Sequence, residues 1–158
     1  ARMPRALARI GEVAAESGRG NVTVTHDPLL KPFPPGSVDV VWTSQNYHDI
    51  AGMGVDIAAF NKVVFDALKP GGVFMVIDHR AAPGSGRRDT TTLHRIDAGV
   101  VRSEVEAAGF VLDGESTALV NPVDDHTLRV FDPTIRGQTD PFAYCFRKPA
   151  PRDRRQRN

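Results

Sequence analysis

The sequence predicts an α/β domain with a mainly parallel sheet that ends in one antiparallel strand. Apolar runs of strand length alternate with amphipathic helical segments from residue 38 to residue 120, which is typical of a sheet wound with crossover helices. The last two strand patterns have no helical segment between them. Two strands joined without a crossover helix can be neighbours only if they are antiparallel, so the final strand should be reversed.

The first segment of the chain predicts a helix followed by a short strand. Residues 3–16 carry one apolar stripe, and Gly18 and Gly20 follow it as helix-ending residues. The stripe consists of Leu7, Ile10, Val13 and Ala14. The residues NVTVT (21–25) alternate in polarity as a half-buried strand does.

The next elements are a buried strand, a helix and a second buried strand. The run VDVVWT (38–43) is continuously apolar apart from Asp39, which predicts a strand buried on both faces with Trp42 in the core. Asp56 is a candidate N-cap for a helix that reaches Leu68, and LKPGG ends that helix. GVFMVID (72–78) then predicts another fully buried strand.

The remaining elements complete the sheet. A loop rich in Gly, Pro, Ser and Arg (80–90) precedes a helix near 97–108, and residues 110–120 form a strand. A long polar segment (121–140) leads to the last strand, 142–148. Phe142, Tyr144 and Phe146 share one face of it and are expected in the core.

Composition limits the classes of function. The 158 residues carry a net charge of +1, and the last ten residues alone hold four Arg and one Asp. The rest is nearly neutral, so we expect no nucleic-acid partner, and no apolar run is long enough to span a membrane. The single cysteine, Cys145, excludes disulfides within the chain. We expect one domain over residues 1–148 and a disordered basic tail over 149–158.

Three segments together resemble one enzyme family. VDVVWT followed by NYHD, ALKPGGVFMVIDH, and EVEAAGFVL resemble the fourth, fifth and sixth strands of class I S-adenosylmethionine-dependent methyltransferases with their flanking segments. The resemblance covers about residues 5–148. NYHD, DHRAAPGSGRRDTTTLHRID and FRKP more narrowly resemble a group of bacterial predicted methyltransferases. The resemblance to the methyltransferase family implies a Rossmann-like methyltransferase fold, the cofactor S-adenosylmethionine, and methyl transfer to a small-molecule acceptor. We expect a cytoplasmic location, and a targeting signal upstream of Ala1 is the open alternative.

The chain also departs from this family. The family's first two strands and its G-x-G-x-G turn have no counterpart here, and Gly18-x-Gly20 follows a helix rather than a strand. We therefore expect an N-terminally truncated domain with impaired activity. The alternative is a non-catalytic, methyltransferase-like remnant that pairs with another chain, or with its own copy, through exposed sheet edges. The missing G-x-G-x-x-G and the reversed last strand disfavour a nicotinamide-dependent enzyme.

The resemblance implies two groups of cofactor-binding residues. Asp27 and Pro28 follow the predicted third strand, where the family places an acidic residue on the adenine amino group; an Asx turn before Pro28 is the alternative. The loop after the fourth strand lines the methionine part of the cofactor in the family. This loop consists of Thr43, Ser44, Gln45 and Asn46.

The predicted catalytic residues lie near the carboxyl ends of two strands, where open α/β sheets bind ligands. His48 is the candidate base for the acceptor's proton, Tyr47 the candidate positioning residue, and Asp49 follows them. His79 ends the next strand, and His94 precedes the following helix. Histidines and carboxylates near one edge also suit a divalent cation, but Asp97 is equally a helix N-cap, and we assign no metal ligand.

Overall fold

A computed structural model describes residues 3–16, 18, 20–25 and 28–150. The chain divides into two units, one ending at Lys31 and one beginning at Pro32. In the first unit, helix α1 spans Met3–Ala15 and confirms the predicted helix. The strand predicted at 21–25 is wrong: residues 22–25 form no regular element and pair with no strand of the described chain. A short alternating segment is not stable as a strand without a neighbour to pair with.

The described part of the second unit, residues 32–150, contains one four-stranded sheet and three helices. The strands are β1 Val38–Ser44, β2 Leu68–His79, β3 Val111–Ser116 and β4 Pro141–Arg147. The helices are α2 Tyr47–Gly52, α3 Ile57–Ala67 and α4 Ala98–Ala107.

The sheet has the predicted mixture of strand directions. Its order is β1-β2-β4-β3, and β1 runs parallel to β2. β4 is antiparallel to both of its neighbours, β2 and β3. The reversed final strand is therefore confirmed, and it lies between the two strands that precede it in sequence. The carboxyl ends of β1 and β2 meet at one edge of the sheet.

One face of the sheet carries the core. Phe74 and Val76 of β2 stand opposite Phe146 and Tyr144 of β4, and all four side chains are buried. Helices α3 and α4 pack on this face with Phe60, Val64, Val101 and Val105. Phe142, Tyr144 and Phe146 are core residues, as the sequence predicted.

The opposite face of the sheet is more exposed than the sequence predicted. Val40 and Trp42 of β1 are 55% and 62% exposed. The prediction that this strand is buried on both faces is therefore wrong for the face that carries these two side chains. Trp42 is not a core residue. In the register of the sheet it neighbours Met75, which is half-buried, and β1 is an edge strand of the described sheet. An apolar run indicates burial only where another layer covers the strand.

The predicted helix caps are confirmed, whereas the start of β2 differs. The Asp56 carboxylate accepts the amide of Ala59, and the Asp97 carboxylate accepts that of Gly99. β2 begins at Leu68, directly after α3, rather than at residue 72. A Cβ at Gly72 would lie 2.8 Å from the Lys69 carbonyl and 3.1 Å from that of Asp39, so glycine permits the close approach of β1 here.

No helix within the described ranges is long and apolar enough to cross a membrane. The division into a domain over 1–148 and a disordered tail over 149–158 stays a prediction, and residues 151–158 lie outside the described part of the chain.

Candidate functional site

A buried carboxylate joins the ends of β1 and β2. Asp78, near the end of β2, has no solvent exposure, and its Oδ1 lies 2.7 Å from His48 Nδ1. Its Oδ2 accepts the backbone amide of His48 at 2.8 Å, and its Oδ1 accepts the amide of His79 at 2.8 Å. With Nδ1–H donated to Asp78, the lone pair of a neutral His48 lies on Nε2.

The two histidines beside Asp78 have opposite pKa shifts. Burial lowers the pKa of His48, but the hydrogen bond to Asp78 and the charges of Asp78 and Asp49 outweigh burial and raise it. Burial also lowers the pKa of His79, and the neighbouring His48 and Arg95 lower it further, against the charges of Asp78 and Asp124. His48 is therefore the stronger base of the pair.

Two further predicted residues surround the free nitrogen of His48. His48 Nε2 lies 3.3 Å from His94 Nδ1 and 3.3 Å from Asp49 Oδ1. His94 Nδ1 in turn lies 3.3 Å from Asp49 Oδ1. The His48 side chain is 3% exposed, that of His94 21% and that of Asp49 49%, so Asp49 and His94 form the outer rim of this group.

Tyr47 belongs to the core rather than to this group. Its ring is fully buried against Phe60, and its hydroxyl donates to Glu104 at 3.0 Å and accepts from Asn61 at 2.9 Å. Burial raises the pKa of Tyr47, with a smaller contribution from the Glu104 charge, so the phenol stays neutral. The hydroxyl ties α2, on which His48 lies, to α3 and α4.

The segment between β3 and β4 contacts the two residues that flank His94, Leu93 and Arg95. Arg95 is fully buried and forms a two-pronged ion pair with Asp124, at 2.8 and 2.9 Å. Arg95 also donates to the carbonyl of Leu128, and the amide of Val130 donates to the carbonyl of Leu93. These bonds hold residues 124–130 against the backbone on either side of His94.

The same segment places two side chains on the His94 ring. Arg129 Nη2 lies 3.1 Å from His94 Nε2, and the ring centroids of Phe131 and His94 are 4.9 Å apart. Because a guanidinium only donates, His94 Nε2 accepts and its Nδ1 carries the proton in this arrangement. His94 itself has a left-handed backbone, with φ of 56°.

A second polar cluster lies beside the first. Asp140 accepts from His126 Nε2 at 2.9 Å and lies 3.2 Å from Arg80 Nε. The Thr139 hydroxyl lies 2.9 Å from His79 Nδ1. His79 therefore contacts the segment between β3 and β4 through Thr139. The ring centroids of His79 and His48 are 6.1 Å apart.

The predicted cofactor residues in the second unit form a short loop after β1. Thr43 is buried and its hydroxyl contacts the Asn46 side chain, whereas Ser44, Gln45 and Asn46 are exposed. Gln45 has a left-handed backbone with φ of 55°. In the first unit, Pro28 is exposed, and Asp27 lies outside the described residues.

The structure thus brings His48, Asp49 and His94 together, with His79 alongside, and places Tyr47 in the core. Their functional roles stay predictions. Sequence reasoning missed the supporting residues Arg129, Phe131 and Asp124. They come from a polar segment without periodicity, and no local pattern pointed to them.

The comparisons with known proteins bear on the fold. No protein-family model and no curated protein matches the sequence. Among solved structures, the [4+2]-cyclase SpnF matches 92% of this chain with a TM-score of 0.66 and 18% identity. An S-adenosylmethionine-dependent methyltransferase of Mesorhizobium loti matches 89% with a TM-score of 0.58 and 19% identity.

A third match is the 1,6-didemethyltoxoflavin-N1-methyltransferase of Burkholderia thailandensis, solved with 1,6-didemethyltoxoflavin and S-adenosylhomocysteine. It covers 89% of this chain with a TM-score of 0.58 and 14% identity. The chain spans 63% of the length of SpnF, 74% of the M. loti protein and 56% of this third protein. The predicted Rossmann-like methyltransferase fold is confirmed.

Proposed function

We propose that this protein transfers a methyl group from S-adenosylmethionine to a small-molecule acceptor, and that His48 accepts the acceptor's proton. The contact between His48 and Asp78 carries the proposal. It places an oriented, basic imidazole at the carboxyl ends of two parallel strands, where open α/β sheets bind their ligands. The fold shared with S-adenosylmethionine-dependent methyltransferases supports the choice of donor.

The loop after β1 suits the polar methionine part of that donor. Ser44, Gln45 and Asn46 are exposed at the carboxyl end of β1, and the left-handed turn at Gln45 ends the strand there. Bound S-adenosylmethionine supplies a methyl carbon on a positively charged sulfur, which leaves as a neutral thioether. We assign this loop, Thr43 to Asn46, to its binding. The cofactor roles expected for Asp27 and Pro28 of the first unit stay predictions.

The residues of the chain orient the acceptor and take its proton. A hydroxyl or amine of the acceptor replaces the His94 contact at His48 Nε2, and its lone pair forms the bond to the methyl carbon while the carbon–sulfur bond breaks. The electron pair of that bond goes to sulfur, and the acceptor's proton goes to His48 Nε2. Asp78 holds the ring and stabilises the imidazolium that results. Asp49 and His94 contact the acceptor at the rim, and His79 supports Asp78.

A single substitution tests the base. His48→Gln keeps a donor toward Asp78 but has no nitrogen that takes up a proton, so turnover should fall about 100- to 10,000-fold while donor binding stays unchanged. His126→Asn removes a histidine outside the group and is the matched control. Formation of S-adenosylhomocysteine with a panel of phenols and amines measures turnover, and calorimetry measures donor binding. Unchanged turnover in His48→Gln would exclude His48 as the base.

Both measurements are made on this chain and on any longer natural polypeptide that contains it. The proposal predicts donor binding in at least one form. If neither form binds S-adenosylmethionine at millimolar concentration, the methyl-transfer function is wrong.

The exposed face of the sheet favours a second function, pairing with another chain. Val40, Trp42 and Val111 are all more than half exposed in strands at the two edges of the described sheet. Such a surface marks an interface more often than an isolated apolar side chain does. Clear self-association without donor binding would favour this function over catalysis.

A further inference from the structure

Three ligand-type atoms form an equilateral triangle at the candidate site. They are His48 Nε2, Asp49 Oδ1 and His94 Nδ1, and each pair is 3.3 Å apart. Among the described residues, this is the group of His, Cys, Asp and Glu side chains whose ligand atoms converge closely enough to hold a metal ion. The triangle joins helix α2 to the loop before α4.

The distances between these three atoms favour an ion with tetrahedral coordination. Tetrahedral zinc has bonds of about 2.0–2.1 Å to nitrogen and oxygen, which places its ligand atoms about 3.3–3.4 Å from one another. An octahedral ion with the same bond lengths would need ligand atoms about 2.9 Å apart. We propose that His48, Asp49 and His94 bind a zinc-type divalent ion through these atoms, with a fourth position open to solvent or to a ligand.

The buried Asp78 completes the arrangement around such an ion. A histidine that binds a metal through one nitrogen commonly donates its other N–H to a carboxylate, which fixes the ring and strengthens the ligand. Asp78 Oδ1 lies 2.7 Å from His48 Nδ1, and the His48 backbone amide donates to the other carboxylate oxygen. His48 Nε2 is therefore aimed at the triangle before any ion arrives.

The third ligand is also held in place. His94 has a left-handed backbone, and the Arg95–Asp124 pair and the Val130–Leu93 hydrogen bond secure the residues on either side of it. A non-glycine residue in this conformation persists only where the surroundings enforce it. The half-exposed Asp49 carboxylate provides the path by which an ion enters.

One contact opposes metal binding and gives a further test of the site. Arg129 donates to His94 Nε2, which leaves the proton on Nδ1, the atom that would bind the metal. Metal binding must move this proton to Nε2 and displace the exposed Arg129. Replacing Arg129 with Gln, whose side-chain oxygen accepts from Nε2–H, should therefore tighten metal binding.

A bound ion would also affect methyl transfer, an effect that rests on the proposed function. A metal and a proton compete for the same lone pair of His48 Nε2, so a bound ion removes the base. Zinc should therefore inhibit methyl transfer reversibly, with a chelator restoring it. Direct metal binding does not depend on methyl transfer, so the two proposals fail separately.

Cobalt(II) alone is the probe, since its visible absorption is intense when tetrahedral and weak when octahedral. The untagged chain carries Cys145→Ser throughout, which removes the single thiol. A tetrahedral spectrum that zinc displaces is expected. His48→Gln, Asp49→Asn and His94→Asn should each weaken binding at least about tenfold, and Asp78→Asn should weaken it about 10- to 100-fold. Arg129→Gln should tighten it.

The matched control for His94→Asn is His126→Asn, because both histidines have a left-handed backbone that Asn tolerates. His126→Asn should leave cobalt binding unchanged. Asp49→Asn is expected to fold normally, because the Asp49 side chain is half exposed. Circular dichroism checks the fold of every variant. An octahedral spectrum, or equal cobalt binding by the Cys145→Ser parent and by the three ligand variants, overturns the proposal.

Discussion

Asp78 accepts both the backbone amide and the ring Nδ1–H of His48, two residues that are 30 positions apart in the sequence. The two contacts fasten the start of α2 to the end of β2. They also determine which nitrogen of His48 is free, since the ring can donate to Asp78 only through Nδ1. Fold stability and site geometry therefore depend on the same carboxylate.

Asp78→Asn should destabilise the fold. The Asp78 carboxylate accepts three N–H groups, from the backbone of His48 and His79 and from the His48 ring. An amide has one oxygen, and its NH₂ group would face a donor. We expect a loss of about 3 kcal/mol in the free energy of unfolding, measured in urea. Asp49→Asn, at a half-exposed position, should cost less than about 0.5 kcal/mol. Equal losses of unfolding free energy in the two variants would contradict the role of Asp78 as the acceptor of three N–H groups.

Arg95→Met should be among the most damaging substitutions in the chain. It leaves the Asp124 charge buried without its partner, which typically costs about 3–5 kcal/mol. Arg102→Met breaks an exposed pair with Glu106 on α4 and should cost less than about 1 kcal/mol. Urea denaturation of both variants measures the difference. A cost for Arg95→Met as small as that for Arg102→Met would show that the pair does not hold the segment.

Acid should weaken the fold through Asp124. Burial raises the pKa of Asp124, but hydrogen bonds from Arg95 and from the backbone amides of Asp140 and His126 outweigh it and leave the pKa lowered. A carboxyl with a lowered folded-state pKa stabilises the fold above its unfolded-state pKa, about 3.9. This stability is lost as the pH falls through that value toward the folded-state pKa.

The check is the free energy of unfolding between pH 6 and pH 3 in wild type and in Asp124→Asn. The variant should be less stable at pH 6 and should lose less stability on acidification, because it lacks the titrating group. Parallel losses in the two proteins would assign the acid sensitivity to other carboxyl groups.

Trp42 reports on the exposed face of the sheet. It is the single tryptophan of the chain and is 62% exposed. Its fluorescence should resemble that of tryptophan in water and should be quenched efficiently by iodide at low protein concentration. If copies pair through this face, the emission should shift to the blue as concentration rises, and Trp42→Lys should abolish self-association in sedimentation experiments. A buried, unquenched Trp42 at the lowest concentration would contradict its position.

Local sequence patterns predicted most of the elements correctly. The caps at Asp56 and Asp97 were found because capping depends on residues three or fewer positions away. The reversed β4 was found because no crossover helix fits before it. The strand at 21–25 and the burial of Trp42 were predicted wrongly, since both depend on a neighbouring strand or layer that a local pattern does not contain.

For the candidate site, the residue types and the strand ends were predictable, but the contacts were not. The sequence by itself determined that His48 and Asp78 follow or end adjacent parallel strands, because hydrophobic patterning sets strand position and direction. Only the tertiary structure decided that Asp78 orients His48, that Tyr47 faces the core, and that Arg129 reaches His94. These contacts join residues 30 to 57 positions apart. Their distances follow from how helices and loops pack, which no short-range periodicity encodes.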